Sequence, residues 1–338
     1  MDNEFIISVG VVAYNEEDFI PLLLNDMLDQ TFPKSQTELL LINSMSTDRT
    51  ADIFYEFKSA HKDEYKSIQL LDNPQKNQAS GWNVAIDNFL GDALIRVDAH
   101  AKITEDFIKK NSECLLSGEM VCGGMRPNII KDPTSLKNLV LLADTSMFGG
   151  SFGKYHNSEK KSYVDTLFHG CYRREVIEKV GHFNPELGRT EDNDFHQRVR
   201  AAGYKICYDP SIVSYQYSRG SVISSVRQKY GNGYWIGRTT AINPSCISLF
   251  HFVPFLFVLA IILTSVLGLI WNWLFLILLG ALYGFVNILL SVIAIINFKP
   301  FNFIGFLLPF MFLALHISYG IGTIFGLFSI WTNNPNKR

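Results

Sequence analysis

Short apolar runs alternate with stretches of helical spacing over the early part of the chain. Residues 6–13 (IISVGVVA), 39–42, 68–71 and 94–97 are continuous apolar runs of strand length, whereas 19–29, 50–60 and 79–89 place apolar residues three and four apart, as one face of a helix does. Buried strands alternating with helices predict a mostly parallel sheet with helices on both faces. A further helix is predicted through Phe195, Val199 and Ala202. After position 251 the pattern changes: residues 252–270, 274–296 and 303–330 are apolar throughout, and each reaches the roughly 20 residues with which a helix crosses a hydrocarbon core. Pro309, His316, Gly320, Gly322 and Gly326 mark the third as a segment that kinks, or that dips into the bilayer and returns.

Polar residues follow each predicted strand at its carboxyl end. Tyr14, Asn15 and Glu16 follow the first, Asn43 and Ser44 the second, Asp72 and Asn73 the third, and Asp98 ends the fourth. Open α/β sheets bind ligands beyond the carboxyl ends of their strands, so these four edges are expected to assemble one ligand site. No GxGxxG follows the first strand and no GxxxxGK[ST] occurs, so neither the dinucleotide fingerprint nor the phosphate-binding P-loop applies. The glycine-rich run at 149–153 reads as a mobile loop rather than a phosphate cradle.

Charge separates the chain into two solvents. Of its 338 residues 30 are Lys or Arg and 32 Asp or Glu, yet no acid occurs after Asp209, and from Phe252 onward only Lys299, Lys337 and Arg338 are charged. Residues 1–251 therefore hold 27 basic groups (30 less those three) against 32 acidic ones, a balance that speaks against nucleic acid as a partner. With 48% hydrophobic and 13% aromatic residues the chain can bury enough surface to fold. Five cysteines without a CxxC pair suggest neither a disulfide framework nor a zinc site, and favour a reducing compartment. The opening residues Met1, Asp2, Asn3 and Glu4 do not form a basic leader, so the soluble part is expected to stay on the cytoplasmic side.

Two clusters carry chemistry. Asp98 and His100 lie two residues apart at the fourth strand's end, where extended backbone sends both to one side; a carboxylate and an imidazole there suit a divalent cation bridging phosphates. Thr190, Glu191, Asp192, Asn193 and Asp194 place three carboxylates ahead of the predicted helix, more than a helix cap requires.

Four motifs in order, Val12 to Glu17 (VAYNEE), Ser46 to Thr50 (STDRT), Asp98 to His100 (DAH) and Glu191 to Asp194 (EDND), resemble those of the family 2 inverting glycosyltransferases. The resemblance covers roughly residues 5–235, and the stretches around Gly170–Arg174 and Val180–Asn184 are similar to the family's acceptor-side segment. The Asp-Ala-His form with C-terminal membrane helices resembles the membrane-anchored bacterial exopolysaccharide enzymes of the succinoglycan glucosyltransferase type. It implies an α/β fold: a Rossmann-like GT-A nucleotide-sugar-binding domain over 1–235, an interface segment over 236–251, about three membrane helices over 252–331 and a polar tail over 332–338.

By the same resemblance, Ala13, Tyr14, Asn15 and Glu16, with Asn43, Asp48 and Asp72, would line the nucleotide pocket. Asp98 and His100 would take the metal and diphosphate, Asp192 would be the general base with Glu191 beside it, and Asp194, Arg227, Lys229 and Trp235 would lie toward the acceptor or diphosphate. The donor expected is a nucleotide-sugar, usually a UDP-sugar, and the acceptor a lipid-linked or other saccharide at the lipid surface. A divalent metal is implied, with Mn2+ favoured over Mg2+ because imidazole suits magnesium poorly. Asn43 stands where the family often has an aspartate, which leaves the base open, and the processive QxxRW motif is absent around Arg227 to Trp235, which points to non-processive transfer. Transfer of one sugar to polyprenyl phosphate is the alternative reading, and an export protein with a vestigial glycosyltransferase domain a more distant one. The expected location is the bacterial inner membrane, multi-pass, with the catalytic domain cytoplasmic.

Overall fold

The structure is a computed structural model that describes residues 4–150, 160–218, 220–298 and 303–332. The 149–153 run, Lys299 and the polar tail lie wholly or partly outside the described residues. Two compact units divide the chain: the described residues of Met1–Pro127 with Lys154–Tyr217, and those of Asn128–Gly153 with Ser218–Arg338. The boundary expected at 235 falls inside a helix of the second unit.

In the first unit the predicted strands become β1 (Ile7–Ala13), β2 (Thr37–Asn43), β3 (Ser67–Asp72) and β4 (Ala93–Asp98). They pair in parallel in the order β3-β2-β1-β4. Odd positions of β1 (Ile7, Val9, Val11, Ala13) pack with α1 (Ile20–Leu28), α2 (Thr50–His61) and α4 (Phe107–Leu116). On the other face Leu40, Ile42 and Leu94 pack with α3 (Gln78–Asn88), α6 (Arg174–Val180) and α7 (Glu191–Ala201). Alternating side chains thus send β4's Leu94, Arg96 and Asp98 toward the α3, α6 and α7 side.

Beyond β4 the sheet is not parallel as expected. β9 (Cys171–Arg173) runs antiparallel to both β4 and β6 (Val121–Met125), and β10 (Ile206–Tyr217) then runs parallel to β6. β5 (Ala101–Ile103) and β8 (Ser162–Val164) each pair antiparallel with β10. β8 and β9 therefore run in one direction, opposite to that of β6 and β10. The β6–β10 register shifts between Asp209 and Val213; there Gly124 lies so close to the Ile212 and Asp209 carbonyls that a Cβ would collide with them.

The second unit contains β7 (Asn128–Ile129), α5 (Ser135–Thr145), α8 (Val222–Ile242), α9 (Val253–Ile270), α10 (Leu274–Asn297) and α11 (Leu308–Thr332). Three helical stretches, Leu249–Ile270, Leu274–Asn297 and Phe303–Ile330, are long and apolar enough to cross a membrane, and most side chains of the first two face outward. The third does not break as its glycines suggested. Pro309 sits in the first turn of α11, where its missing N–H costs no helical bond. The glycines instead let helices touch: a Cβ on Gly322 or Gly326 would strike the Tyr230 or Tyr234 carbonyl of α8, one on Gly233 of α8 the Tyr319 carbonyl of α11, and one on Gly320 the Pro254 carbonyl of α9. His316 is held on both nitrogens, by the Tyr283 hydroxyl at 3.0 Å and the Phe148 carbonyl at 2.8 Å.

Candidate active site

The loops after β1 and β2 are tied to each other through polar side chains. Asn15, in the left-handed region at φ 53°, donates its N–H to Ser46 Oγ (3.1 Å) and accepts from the Thr47 N–H through Oδ1 (2.8 Å). Asn43 Oδ1 takes the Ser46 N–H (3.0 Å), and Asp48 takes the N–H groups of Glu17 (3.1 Å) and Thr50 (3.0 Å). Although its partial burial works the other way, these bonds hold the Asp48 carboxyl below its ordinary range. Asn43 and Asp48, expected in a nucleotide pocket, bond within the loops after β1 and β2, and Ala13 is buried. Tyr14 and Asp72 remain exposed at the edge.

Asp98 ends β4 with its side chain 19% exposed. Gln78 Nε2 donates to its Oδ1 at 3.3 Å, and His169 Nε2 lies 3.4 Å from its Oδ2. Burial alone would raise this carboxyl, but His169, His100 and Arg126 outweigh it and keep it ionised well below the usual range. An ionised carboxylate with an accessible face can contribute an oxygen to a divalent cation, and among the described residues no three His, Cys, Asp or Glu side chains group to hold an ion by themselves.

His100 sits differently from the expectation of a side chain facing Asp98's ligand freely. Its Nδ1 is 3.2 Å from Glu16 Oε1, and its Nε2 takes the Gln216 side-chain amide. The Tyr217 N–H reaches the His100 carbonyl at 3.0 Å, so the β10 end fixes this residue from both backbone and side chain. Glu16, predicted for the nucleotide pocket, is thereby brought to the same wall.

Phe195 of α7 stacks on Phe183 with ring centres 4.1 Å apart, and Phe195 and Val199 are fully buried. That anchoring fixes the first turn, which carries Glu191 and Asp192. Among the described residues Glu191 Oε2 is buried with no hydrogen-bond partner, and the N-cap Thr190 makes no side-chain cap. Burial, reinforced by the Asp192 charge and opposed by Arg96, pushes Glu191 up to about 8. Asp192 is raised too, by burial first, while Arg96 pulls it down and Asp98 adds repulsion. The Asp98 charge thus adds to the rise of both helix carboxyls. Asp194, expected toward the acceptor or diphosphate, forms an ion pair with Arg198 Nε (2.9 Å). Arg227, Lys229 and Trp235 lie on α8 in the second unit, where burial pulls Lys229 down against the pull of Asp144.

Two residues of this site were not singled out from sequence. Arg96 is 9% exposed, with its guanidinium 4.6 Å from the Trp82 ring centre and 4.7 Å from that of Phe183. A charged residue inside the apolar run ALIRVD, two before Asp98, was a signal available in the sequence. His169, in a loop before β9, carried none.

The family model for glycosyl transferase family 2 matches residues 8–181. The chain belongs to glycosyl transferase family 2. Over 270 residues it is 28% identical to the dolichyl N-acetyl-α-D-glucosaminyl phosphate 3-β-D-2,3-diacetamido-2,3-dideoxy-β-D-glucuronosyltransferase of Methanococcus voltae, covering 77% of this chain and 82% of that protein. It is 22% identical to the succinoglycan biosynthesis protein ExoA of Rhizobium meliloti, covering 67% of each. A mannosyltransferase from Pyrobaculum calidifontis, solved with GDP-Man and Mn2+, superposes with a TM-score of 0.61 at 15% identity, over 98% of this chain and 89% of that one. The family 2 domain accordingly has a GT-A-like fold, and the four motifs read from the sequence fall at the end of β1, between β2 and α2, at the end of β4 and in the first turn of α7.

Proposed function

We propose that this family 2 enzyme moves a sugar from a nucleotide-sugar, a UDP-sugar by preference, to a lipid-linked saccharide acceptor, inverting the anomeric centre and adding one residue at a time. The observation that carries this reading is the pair Glu191 and Asp192, both raised by burial at the start of α7 and sharing a field with Asp98 at the end of β4. In the proposed reaction Asp192 takes the proton of the acceptor hydroxyl as its oxygen bonds to the anomeric carbon. The bond from that carbon to the diphosphate breaks, and its electron pair leaves with the phosphate oxygen. A carboxylate whose affinity for protons is raised by burial is the better base for a poorly acidic hydroxyl. Glu191, held neutral near pH 7, adds no second charge to repel the diphosphate. Asp98 would hold the divalent metal, which when bound neutralises charge on the leaving diphosphate, and Mn2+ suits a mixed carboxylate and imidazole set better than Mg2+. Tyr14, exposed at the end of β1, is the aromatic face for the base.

The name of the Methanococcus voltae relative, with its dolichyl phosphate substrate, supports a lipid-linked acceptor, as do three helices long enough to span a bilayer. On this reading the enzyme is multi-pass in the cell membrane with its first unit in the cytoplasm. The test is nucleotide release by detergent-solubilised protein from UDP-, GDP- and dTDP-sugars with Mn2+, with and without lipid acceptors. Acceptor-dependent release with a glycosidic product supports the proposal. A phosphodiester to lipid in the product would move the enzyme to polyprenyl-phosphate transfer, and no release from any donor would overturn the activity.

A further inference from the structure

We infer that α11 does not cross the membrane: it lies in the plane of the lipid surface beside α8, at the level where α9 enters, and α9 with α10 is the crossing pair. The inference rests on α9 and α10 spanning as a hairpin and is independent of the proposed sugar transfer.

The level of α11 is read from its contacts with that hairpin. Phe257 of α9 stacks on Tyr283 of α10 with ring centres 4.3 Å apart. Antiparallel helices advance in opposite directions, so Asn287, about one turn past Tyr283, stands level with Val253 and Pro254, about one turn before Phe257. Asn287 donates its side-chain amide to the Pro309 carbonyl at 2.9 Å, and a Cβ on Gly320 would strike the Pro254 carbonyl. Pro309 and Gly320 are 11 residues apart (320 less 309), which is about 16 Å along a helix, yet both touch the hairpin at one level. α11 therefore runs across α9 and α10 near the start of α9, whereas a third crossing would run along them.

Charge on α8 gives the same answer. Ser318 Oγ donates to the Val226 carbonyl at 2.8 Å, Gly322 meets the Tyr230 carbonyl and Gly326 the Tyr234 carbonyl, so the two helices run parallel with a constant offset. Ser318 is about 15 Å from the start of α11, half the depth of a hydrocarbon core of roughly 30 Å. Were α11 a crossing, Arg227 and Gln228, both exposed, would face lipid tails near the midplane, where an exposed charge is costly. At the surface the same arginine, with Lys229 and Arg238, reaches headgroup phosphates, and Tyr230, Tyr234 and Trp235 sit at headgroup depth.

The exposure of α11 agrees. Among its described residues only Phe310, Phe325 and Phe328 are exposed, as one apolar strip, while Leu308, Phe312 and Leu315 are buried with Leu139 and Ala143 of α5. α9 and α10 instead carry exposed apolar side chains along their whole lengths. One covered face and one apolar strip suit a helix whose partner is the lipid surface.

The test uses the full-length protein in a bacterial host, fused after Arg338 either to alkaline phosphatase, active only outside, or to green fluorescent protein, fluorescent only inside. An impermeant thiol reagent applied to Asn272→Cys reports the far end of α9. The expected result places Asn272 and the C-terminus on opposite sides; finding both on one side overturns the inference. Depth is the second readout, from nitroxide labels on Phe310→Cys and Phe328→Cys in a Cys246→Ser background, in vesicles of phosphatidylethanolamine and phosphatidylglycerol. These positions are about five turns apart on one face. Both labels should lie at one shallow depth, about 5–10 Å into the headgroup and acyl boundary. Depths differing by about 27 Å, as in a spanning helix, or labels in water, overturn it. Asn272 inside with the C-terminus outside would sink the proposed cytoplasmic placement of the first unit and leave this inference standing.

Discussion

The guanidinium of Arg96 lies 4.6 Å from the ring centre of Trp82 and 4.7 Å from that of Phe183, so a permanent positive charge is held against two aromatic rings. From there it opposes the rise in proton affinity that burial imposes on both Glu191 and Asp192. Burial removes the guanidinium from water without removing its charge, and its field is correspondingly strong.

Removing that charge is expected to let the carboxylates bind protons more readily. In Arg96→Met the acid limb of the pH profile for turnover should move upward by roughly one unit or more. A profile with an unmoved acid limb would reduce Arg96 to a packing role.

Asp192→Asn separates chemistry from binding. The amide keeps the size of the side chain but cannot take the acceptor's proton, so turnover should fall about 10²–10⁴-fold while UDP affinity with Mn2+ stays near that of the wild type. Near-normal transfer, with a lowered melting temperature, would leave only a helix-end role for this residue.

Glu191 gives a pH dependence of stability whose sign can be worked out. Its carboxyl moves from an ordinary 4.5 to about 8 on folding, so between those values the folded protein binds the proton that the unfolded chain has lost. The contribution is whole below about pH 4.5 and is lost as pH rises through about 8. Glu191→Gln, which cannot ionise, should therefore gain thermal stability relative to the wild type as pH rises from 5 to 9, about 1 kcal/mol or more at the upper end. A difference that stays flat across that range would show that Glu191 ionises as a solvated carboxyl does.

The contact between α8 and α11 predicts which glycines matter. Gly322→Leu would drive a side chain into the Tyr230 carbonyl and should lower the midpoint of thermal unfolding, at a cost of about 1–3 kcal/mol. Gly284 of α10 has open space around it, so Gly284→Ala should be neutral or slightly stabilising. Equal effects from the two would contradict the packing described.

If α9 crosses the membrane from the cytoplasmic side, its far end is outside. A cysteine placed at Asn272, which is exposed between α9 and α10, should react with an impermeant thiol reagent in intact cells. Protection there, with labelling only after lysis, would reverse the orientation or remove the crossing.

Strand and helix positions in the first half of the unit were legible because burial on two faces requires unbroken apolar runs, and helices on those faces require apolar residues every third or fourth position. β1 to β4 and α1 to α3 fall within two residues of the expected bounds for that reason. Polar residues at the strand ends marked the site edge, since an open parallel sheet binds there whatever its ligand. The antiparallel insertion of β9 was not legible: its three residues are too few to show a period, and their direction is decided by the neighbours they pair with.

Local pattern therefore determined the elements, the long apolar segments and the family motifs, each a property of residues close together in the chain. What the tertiary structure decided is which groups meet. Asp98 and His169 are 71 positions apart (169 less 98) and face one another only because β9 is threaded beside β4, while His100, two residues from Asp98, is drawn aside by Glu16 and Gln216. In the same way the glycines of α11 read as breaks in one helix and serve as the contact with another. Spacing along a chain fixes the direction of a side chain relative to its own backbone; the partner it finds depends on the packing of segments that the spacing does not encode.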